Sequence, residues 1–342
     1  MNYHDYLQLD KILDAQFPES SRRQSPAHDE MLFIITHQAY ELWFKQVIYE
    51  VDSVLGIMSK PSLNDNSPEL QMVVHRLNRC SAIFKVLIQQ IDVLETMTPM
   101  DFLDFRDMLR PASGFQSWQF KELEAKLGLK FEDRHGKEYY TSQLRPEQVE
   151  RIKKAESENS LLQLLNQWLE RMPFFDEEIS WKNFITENRA TGIHPFWSEY
   201  RHRYQQSLAD GEKGNAQAFD ETFLSTAPKG ERNISVLAAR SALFIMLYRR
   251  YPMLQLPFQL LNNILEIDIQ LSSWRYRHMN MVRRMIGIRI GTGGSSGKDY
   301  LKGAADKHYI FNEIAGLNSY LIESGRLPAL SPEMERRLGF LY

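Results

Sequence analysis

The chain has 342 residues and a formal net charge of −3, which argues against nucleic acid as its partner. Its 43% hydrophobic and 25% charged residues match a globular protein in water, and the single cysteine, Cys80, excludes an internal disulfide and any cysteine-rich zinc site. No apolar run reaches the roughly 20 residues that span a bilayer, and Met1 to Asp5 carries no signal-peptide pattern, so a soluble cytoplasmic protein with no membrane partner is expected.

Helical periodicity dominates the chain. Pro26 suits the first turn of a helix running through Met31 to about Met58. Leu32, Ile35 and Leu42 supply one apolar stripe, while Phe33, His37, Tyr40, Glu41 and Phe44 share another face by i, i+3, i+4 spacing. A second long helix is predicted from Pro68 to about Thr96. Shorter ones follow over Pro99–Leu109 and Phe115–Leu127, broken by Pro111-Ala112-Ser113-Gly114. Pro146 to Met172 reads as two helices. Phe174 to Lys229 is polar, aromatic and weakly periodic, and reads as an inserted helical segment (174–229) within one domain spanning 1–342. Asn233–Tyr251 and Pro257–Ile286 are long helices with strong apolar faces. A helix near Lys307–Leu321 and an irregular tail end the chain. Strand alternation is nearly absent, so the fold class is all-α.

Four places carry candidate chemistry. His278 lies on a strongly helical run, with Trp274 at i−4. A histidine there is either a satisfied core residue or an axial iron ligand whose other ring nitrogen needs a partner. The nearby Arg275, Arg277, Arg283, Arg284 and Arg289 read as a solvated face from which one or two side chains reach haem propionates. His37, on a distant helix, pairs with Glu41 at i+4. That is half of a dinuclear metal site, but the Glu-x-x-His pairs such a site needs are missing. Two histidines on separate helices suit a flat cofactor between helices with one open coordination position. Gly291 to Gly297 fails as a phosphate cradle, since neither a preceding strand nor a following Lys-Ser/Thr is present, and fits a lid with hydroxyls at Thr292, Ser295 and Ser296. Arg106 shares a face with Phe102. It is either a surface partner of Asp101 or Asp104, or a carboxylate grip beside an aromatic wall.

Several long strings together resemble the tryptophan 2,3-dioxygenase family. They include His28-Asp29-Glu30, Leu32 to Gln46 with Phe33 and His37 inside, Leu94 to Thr98, Phe105-Arg106, Pro111 to Ser117, Pro257 to Leu261, Trp274 to His278 and Gly291 to Gly297. The resemblance covers roughly residues 3–127 and 233–321. It implies a bundle of long helices enclosing a haem pocket, a non-covalent haem b that is ferrous in the active form, and a homotetramer built as a dimer of dimers. The implied substrates are L-tryptophan and O2, and the implied product is N-formyl-L-kynurenine, by cleavage of the indole C2–C3 bond in the first step of tryptophan catabolism. Residue by residue, His278 matches the axial iron ligand, with Trp274 beside the cofactor. His37 matches the distal histidine near the indole N–H. Arg106 matches the carboxylate grip, and Thr292 a contact to the substrate ammonium and carboxylate. Ser113 matches a distal pocket residue, and Phe33 and Phe102 match walls of the indole pocket. Tyr3 and Tyr6 match aromatic residues that a neighbouring subunit contributes in this family.

The chain departs from the family pattern in places. Position 102 is Phe where some members carry Tyr, Lys298-Asp299 follows the loop where aromatic or histidine residues are frequent, and Phe174–Lys229 carries little likeness. A haem monooxygenase acting on an indole or tryptophan derivative is the competing reading. A haem sensor or carrier without turnover has no use for Arg106 and Thr292.

Overall fold

The computed structural model describes residues 1–134, 141–171, 194–225, 232–287, 289 and 309–339. Among these residues every regular element is a helix, as the missing alternation predicts. The α-helices are α1 Tyr3–Leu7, α2 Leu9–Leu13, α3 Glu19–Arg22, α4 Glu30–Met58, α5 Pro68–Leu94, α6 Pro99–Arg106, α7 Trp118–Leu127 and α8 Pro146–Ser157. They continue with α9 Leu161–Glu170, α10 Pro195–Ser207, α11 Asn215–Phe223, α12 Val236–Leu247, α13 Pro252–Ile286, α14 Asn312–Gly316 and α15 Pro332–Leu338.

Several boundaries differ from expectation for definite reasons. α4 begins at Glu30 rather than Pro26, because the Glu30 carboxylate accepts from the backbone N–H of Glu19 at 2.8 Å and of Ser20 at 2.9 Å, capping α3. Residues 26–29 are therefore the turn between the two helices. α13 begins at Pro252, where a missing N–H costs nothing, and runs on through Pro257. The lost hydrogen bond there is outweighed by burial of Leu254, Leu260, Leu261 and Ile264, each at most 1% exposed. The expected helix over Lys307–Leu321 contracts to α14 and a 3₁₀ turn over Leu317–Tyr320, with residues 307 and 308 outside the described set. The tail is not wholly irregular: Ser331 caps α15 by accepting from Met334 N–H at 3.1 Å.

The chain divides into two compact units. The first comprises Met1–Tyr49, Cys80–Glu158 and Ile269–Tyr309; the second comprises Glu50–Arg79, Asn159–Asp268 and Ile310–Tyr342. In the first, α5 buries Cys80, Ile83, Phe84, Leu87, Ile91 and Leu94 at helical spacing, and α4 buries Tyr40, Phe44, Val47 and Ile48. Two hydrogen bonds tie α4 to α5: the Tyr40 hydroxyl donates to the Leu87 carbonyl at 2.9 Å, and Gln90 donates to the Thr36 carbonyl at 2.8 Å.

The second unit has an aromatic core. Phe196, Trp197 and Tyr200 of α10 and Phe219 and Phe223 of α11 are all fully buried. Trp197 and Phe223 stack at 5.7 Å with planes 1° apart. Arg201 donates to both carboxylate oxygens of Asp220 through Nε and Nη2, fastening α10 to α11. Replacing Phe223 with Ala is expected to destabilise this unit by about 3–5 kcal/mol; an unchanged urea midpoint would contradict the packing. Of the expected inserted segment, residues 174–193 and 226–229 lie outside the described set. No helix among the described residues is long and apolar enough to cross a membrane.

Candidate functional site

Most of the residues singled out in sequence lie in the first unit, on α4, α6, α13 and the loop before α7. On α4, Phe33 and His37 are one helical turn apart, and their rings meet at 4.1 Å. His37 Nδ1 lies 2.7 Å from the Phe33 carbonyl oxygen. A carbonyl only accepts, so Nδ1 carries the proton and Nε2 is left as an acceptor. Burial holds the His37 imidazole below its ordinary pKa, against the opposing pull of the Phe33 carbonyl and Glu41. The neutral ring is thus a one-sided device whose only free function is to accept a hydrogen bond.

The same face of α4 meets α6. Phe33 lies 5.7 Å from Phe102 in a stacked arrangement and 5.6 Å from Phe105 edge-on, while Phe102 and Phe105 cross at 89° and 5.4 Å. Phe105, 0% exposed, was not singled out in sequence; its i+3 spacing from Phe102 is the signal that places it on this wall. Arg106 follows it as the last residue of α6 and is only 4% exposed. The reading of Arg106 as a surface partner of Asp101 or Asp104 is corrected by this burial; the Asp101 carboxylate accepts from the Thr98 N–H at 2.8 Å in the capping box that starts α6. Asp107, at 3.9 Å, is an acidic neighbour of the Arg106 guanidinium. Ser113 starts the 3₁₀ turn Gly114–Gln116, its hydroxyl accepting from Phe115 N–H at 3.3 Å.

On α13, the Trp274 and His278 rings lie parallel, 5.2 Å apart with planes 3° from each other. Trp274 is held in turn by Phe120 at 4.9 Å, and edge-on by Tyr40 and Phe44, each at 6.0 Å. Burial above all, and then the nearness of the His37 imidazole, pushes the His278 imidazole down to about 4. It is therefore neutral at pH 7 and keeps a lone pair for a metal. The expected arginine face on this helix is partly overturned. Arg275 is 4% exposed and donates to Glu124 at 2.6 Å; Arg277 donates to Asp92 on α5 at 2.6 Å and to Glu95, just past the end of α5, at 3.3 Å. Arg283, Arg284 and Arg289 are exposed.

The donor set decides which metal group fits. Among the described residues no three His, Cys, Asp or Glu side chains converge on a common point. Glu41, the possible half of a dinuclear site, accepts from Gln119 at 2.8 Å instead. A metal held by protein groups alone would have His278 and little else. A metal that brings four in-plane donors of its own needs one neutral imidazole and flat apolar walls, and Phe33, Phe102, Phe105 and Trp274 supply such surfaces. Haem fits this donor set. Tyr3 and Tyr6 do not join the cluster; they stand 75% and 70% exposed on α1. Thr292, with the whole Gly291–Gly297 loop, lies outside the described residues.

Comparison with known proteins settles the family. The family model described as tryptophan 2,3-dioxygenase matches residues 1–321. The chain belongs to the tryptophan 2,3-dioxygenase family. It is 40% identical over 371 residues to the tryptophan 2,3-dioxygenase of Bdellovibrio bacteriovorus, covering 100% of this chain and 99% of that one. It is 42% identical over 354 residues to that of Xenopus laevis, covering 99% and 86%, and 42% identical over 358 residues to that of Dictyostelium discoideum, covering 99% and 88%. The dioxygenase likeness runs through residues 128–232, which the motif-bearing strings leave out.

Proposed function

We propose that the chain cleaves the C2–C3 bond of the L-tryptophan indole with O2 to give N-formyl-L-kynurenine, using haem b held by His278 and flanked by Trp274. The observation that carries this reading is the cluster of Phe33, His37, Phe102 and Phe105, an aromatic wall with an imidazole acceptor, with the buried Arg106 next to Phe105 along α6. Each matches one part of the substrate. Arg106 takes the carboxylate through a charge-assisted pair. Phe33 and Phe102 cover the indole, whose ~150–250 Å² of surface is worth on the order of 4–6 kcal/mol at about 25 cal/mol per Å². The indole N–H is a donor only, and His37 Nε2 is an acceptor only, so the pair fixes which edge of the ring faces α4. Ser113 lines the distal side, and Thr292 meets the ammonium and carboxylate.

Bound haem, in its ferrous form, would supply the redox chemistry that triplet O2 needs to react with a closed-shell indole. The protein's part is to bind, orient and exclude water. Both oxygen atoms enter the product, so the reaction balances with no outside reductant; the monooxygenase alternative would consume two electrons from one. We further propose a homotetramer, a dimer of dimers in which Tyr3 and Tyr6 of a neighbouring copy complete the pocket. Their exposure on α1 supports this. We also propose a cytoplasmic location.

The reading is tested by reducing haem-loaded protein without air, then adding L-tryptophan and air. Growth of formylkynurenine absorbance is expected, and its absence would overturn the proposal. His37 orients and does not have to carry a proton. His37→Ala is therefore expected to slow turnover by roughly 10- to 100-fold, the worth of one buried hydrogen bond, without abolishing it. Complete loss with haem and tryptophan still bound would refute that role.

A further inference from the structure

The short helix α7 touches three of the elements that build the site. Gln119 donates to the Glu41 carbonyl at 2.9 Å and to its carboxylate, one turn beyond His37. Lys121 donates to the Phe115 carbonyl, two residues beyond Ser113. Glu124 accepts from Arg275 at 2.6 Å with one carboxylate oxygen and from Arg134 at 2.7 Å with the other. Glu124, Arg134 and Arg275 are each 4% exposed.

Charges this deeply buried need a reason. Desolvation of an ion pair costs several kcal/mol, and a hydrophobic replacement of similar volume is often as stable or more so. What the pair adds is direction: a carboxylate and a planar guanidinium meet in one geometry and fix the register of the helices that carry them. Here those helices are α7 and α13, and Arg275 sits between Trp274 and His278 in sequence. The consequence passes through aromatic contacts. The Arg275 guanidinium lies over Phe120 at 5.9 Å, Phe120 packs on Trp274 at 4.9 Å, and Trp274 lies parallel to the His278 ring.

We propose that Glu124 and Arg275 are positioning residues for the His278 imidazole. Their bond locks α13 against α7, which seats Trp274 on Phe120 and holds the imidazole plane that meets the haem iron. This rests on the reading of His278 as the axial ligand.

The test uses ferrous holoenzyme of the wild type, Glu124→Gln, Arg275→Lys and Trp274→Leu, with His278→Ala alongside. The readouts are the iron–imidazole stretching band in the resonance Raman spectrum, the rate of haem release to apomyoglobin, and the unfolding midpoint. Glu124→Gln and Arg275→Lys are expected to shift or broaden the band and to speed haem release by about tenfold or more, the range seen when a ligand's supporting partner is lost. Trp274→Leu is expected to alter the band in the same direction with the ion pair intact, which decides the matter if the charge variants do not fold. A wild-type band and release rate in Glu124→Gln and Arg275→Lys, even with a lowered midpoint, would reduce the pair to a stability role and overturn the proposal. So would an unchanged band in Trp274→Leu. A wild-type band in His278→Ala would instead overturn the axial-ligand reading, so the two failures are distinguishable.

Discussion

Replacing Arg106 with Ala is expected to lower kcat/KM for L-tryptophan by about two to three orders of magnitude, the 2–5 kcal/mol typical of truncating one partner of a buried, hydrogen-bonded charge pair. Most of the change should fall on KM. Tryptamine has the same indole and no carboxylate, so its already poor turnover should change by less than about threefold. The guanidinium is buried at the end of α6, directly after the wall residue Phe105. Lysine would keep the charge and lose the two-pronged geometry, so Arg106→Lys should recover only part of the loss. Equal losses for tryptophan and tryptamine would refute the carboxylate role.

His278→Ala is expected to remove turnover to below about one part in a thousand, because the iron would lose the protein ligand proposed to hold it. Folding should survive. The imidazole is neutral at pH 7, so its removal strands no buried charge and leaves a cavity next to Trp274. The ferrous spectrum should lose the features of an imidazole-ligated five-coordinate haem, and added free imidazole should restore part of them. If the variant, supplied with haemin, reconstitutes a normal five-coordinate ferrous spectrum, the iron is held elsewhere and the account of the site fails.

The residues differ in how much of this they disclose as sequence. α5 was legible because Pro68 marks its start and its apolar positions recur every three or four residues. The Phe33–His37 pair was legible for the same local reason. Glu30 was not, since its capping of α3 is a contact ten residues back that no helical pattern announces. α10 was hidden by composition: Phe196, Trp197, Tyr200 and Tyr204 make a buried stripe, but charged and polar neighbours flatten the apparent periodicity. Arg275 and Arg283 look alike in a string of letters. Only the folded chain separates the one bonded to Glu124 from the one in water. The resemblance to a family supplied the roles of Thr292, Tyr3 and Tyr6, which no local pattern would have assigned.

The most direct test of the central claim is the mass of the product formed from L-tryptophan by reduced, haem-loaded protein under ¹⁸O₂. Two heavy oxygen atoms in a single N-formyl-L-kynurenine molecule, with no added reductant, is the result expected of a site that grips tryptophan through Arg106 and holds its ring against Phe33 and Phe102. One heavy atom, a hydroxylated indole, or a requirement for a reductant at every turnover would contradict it.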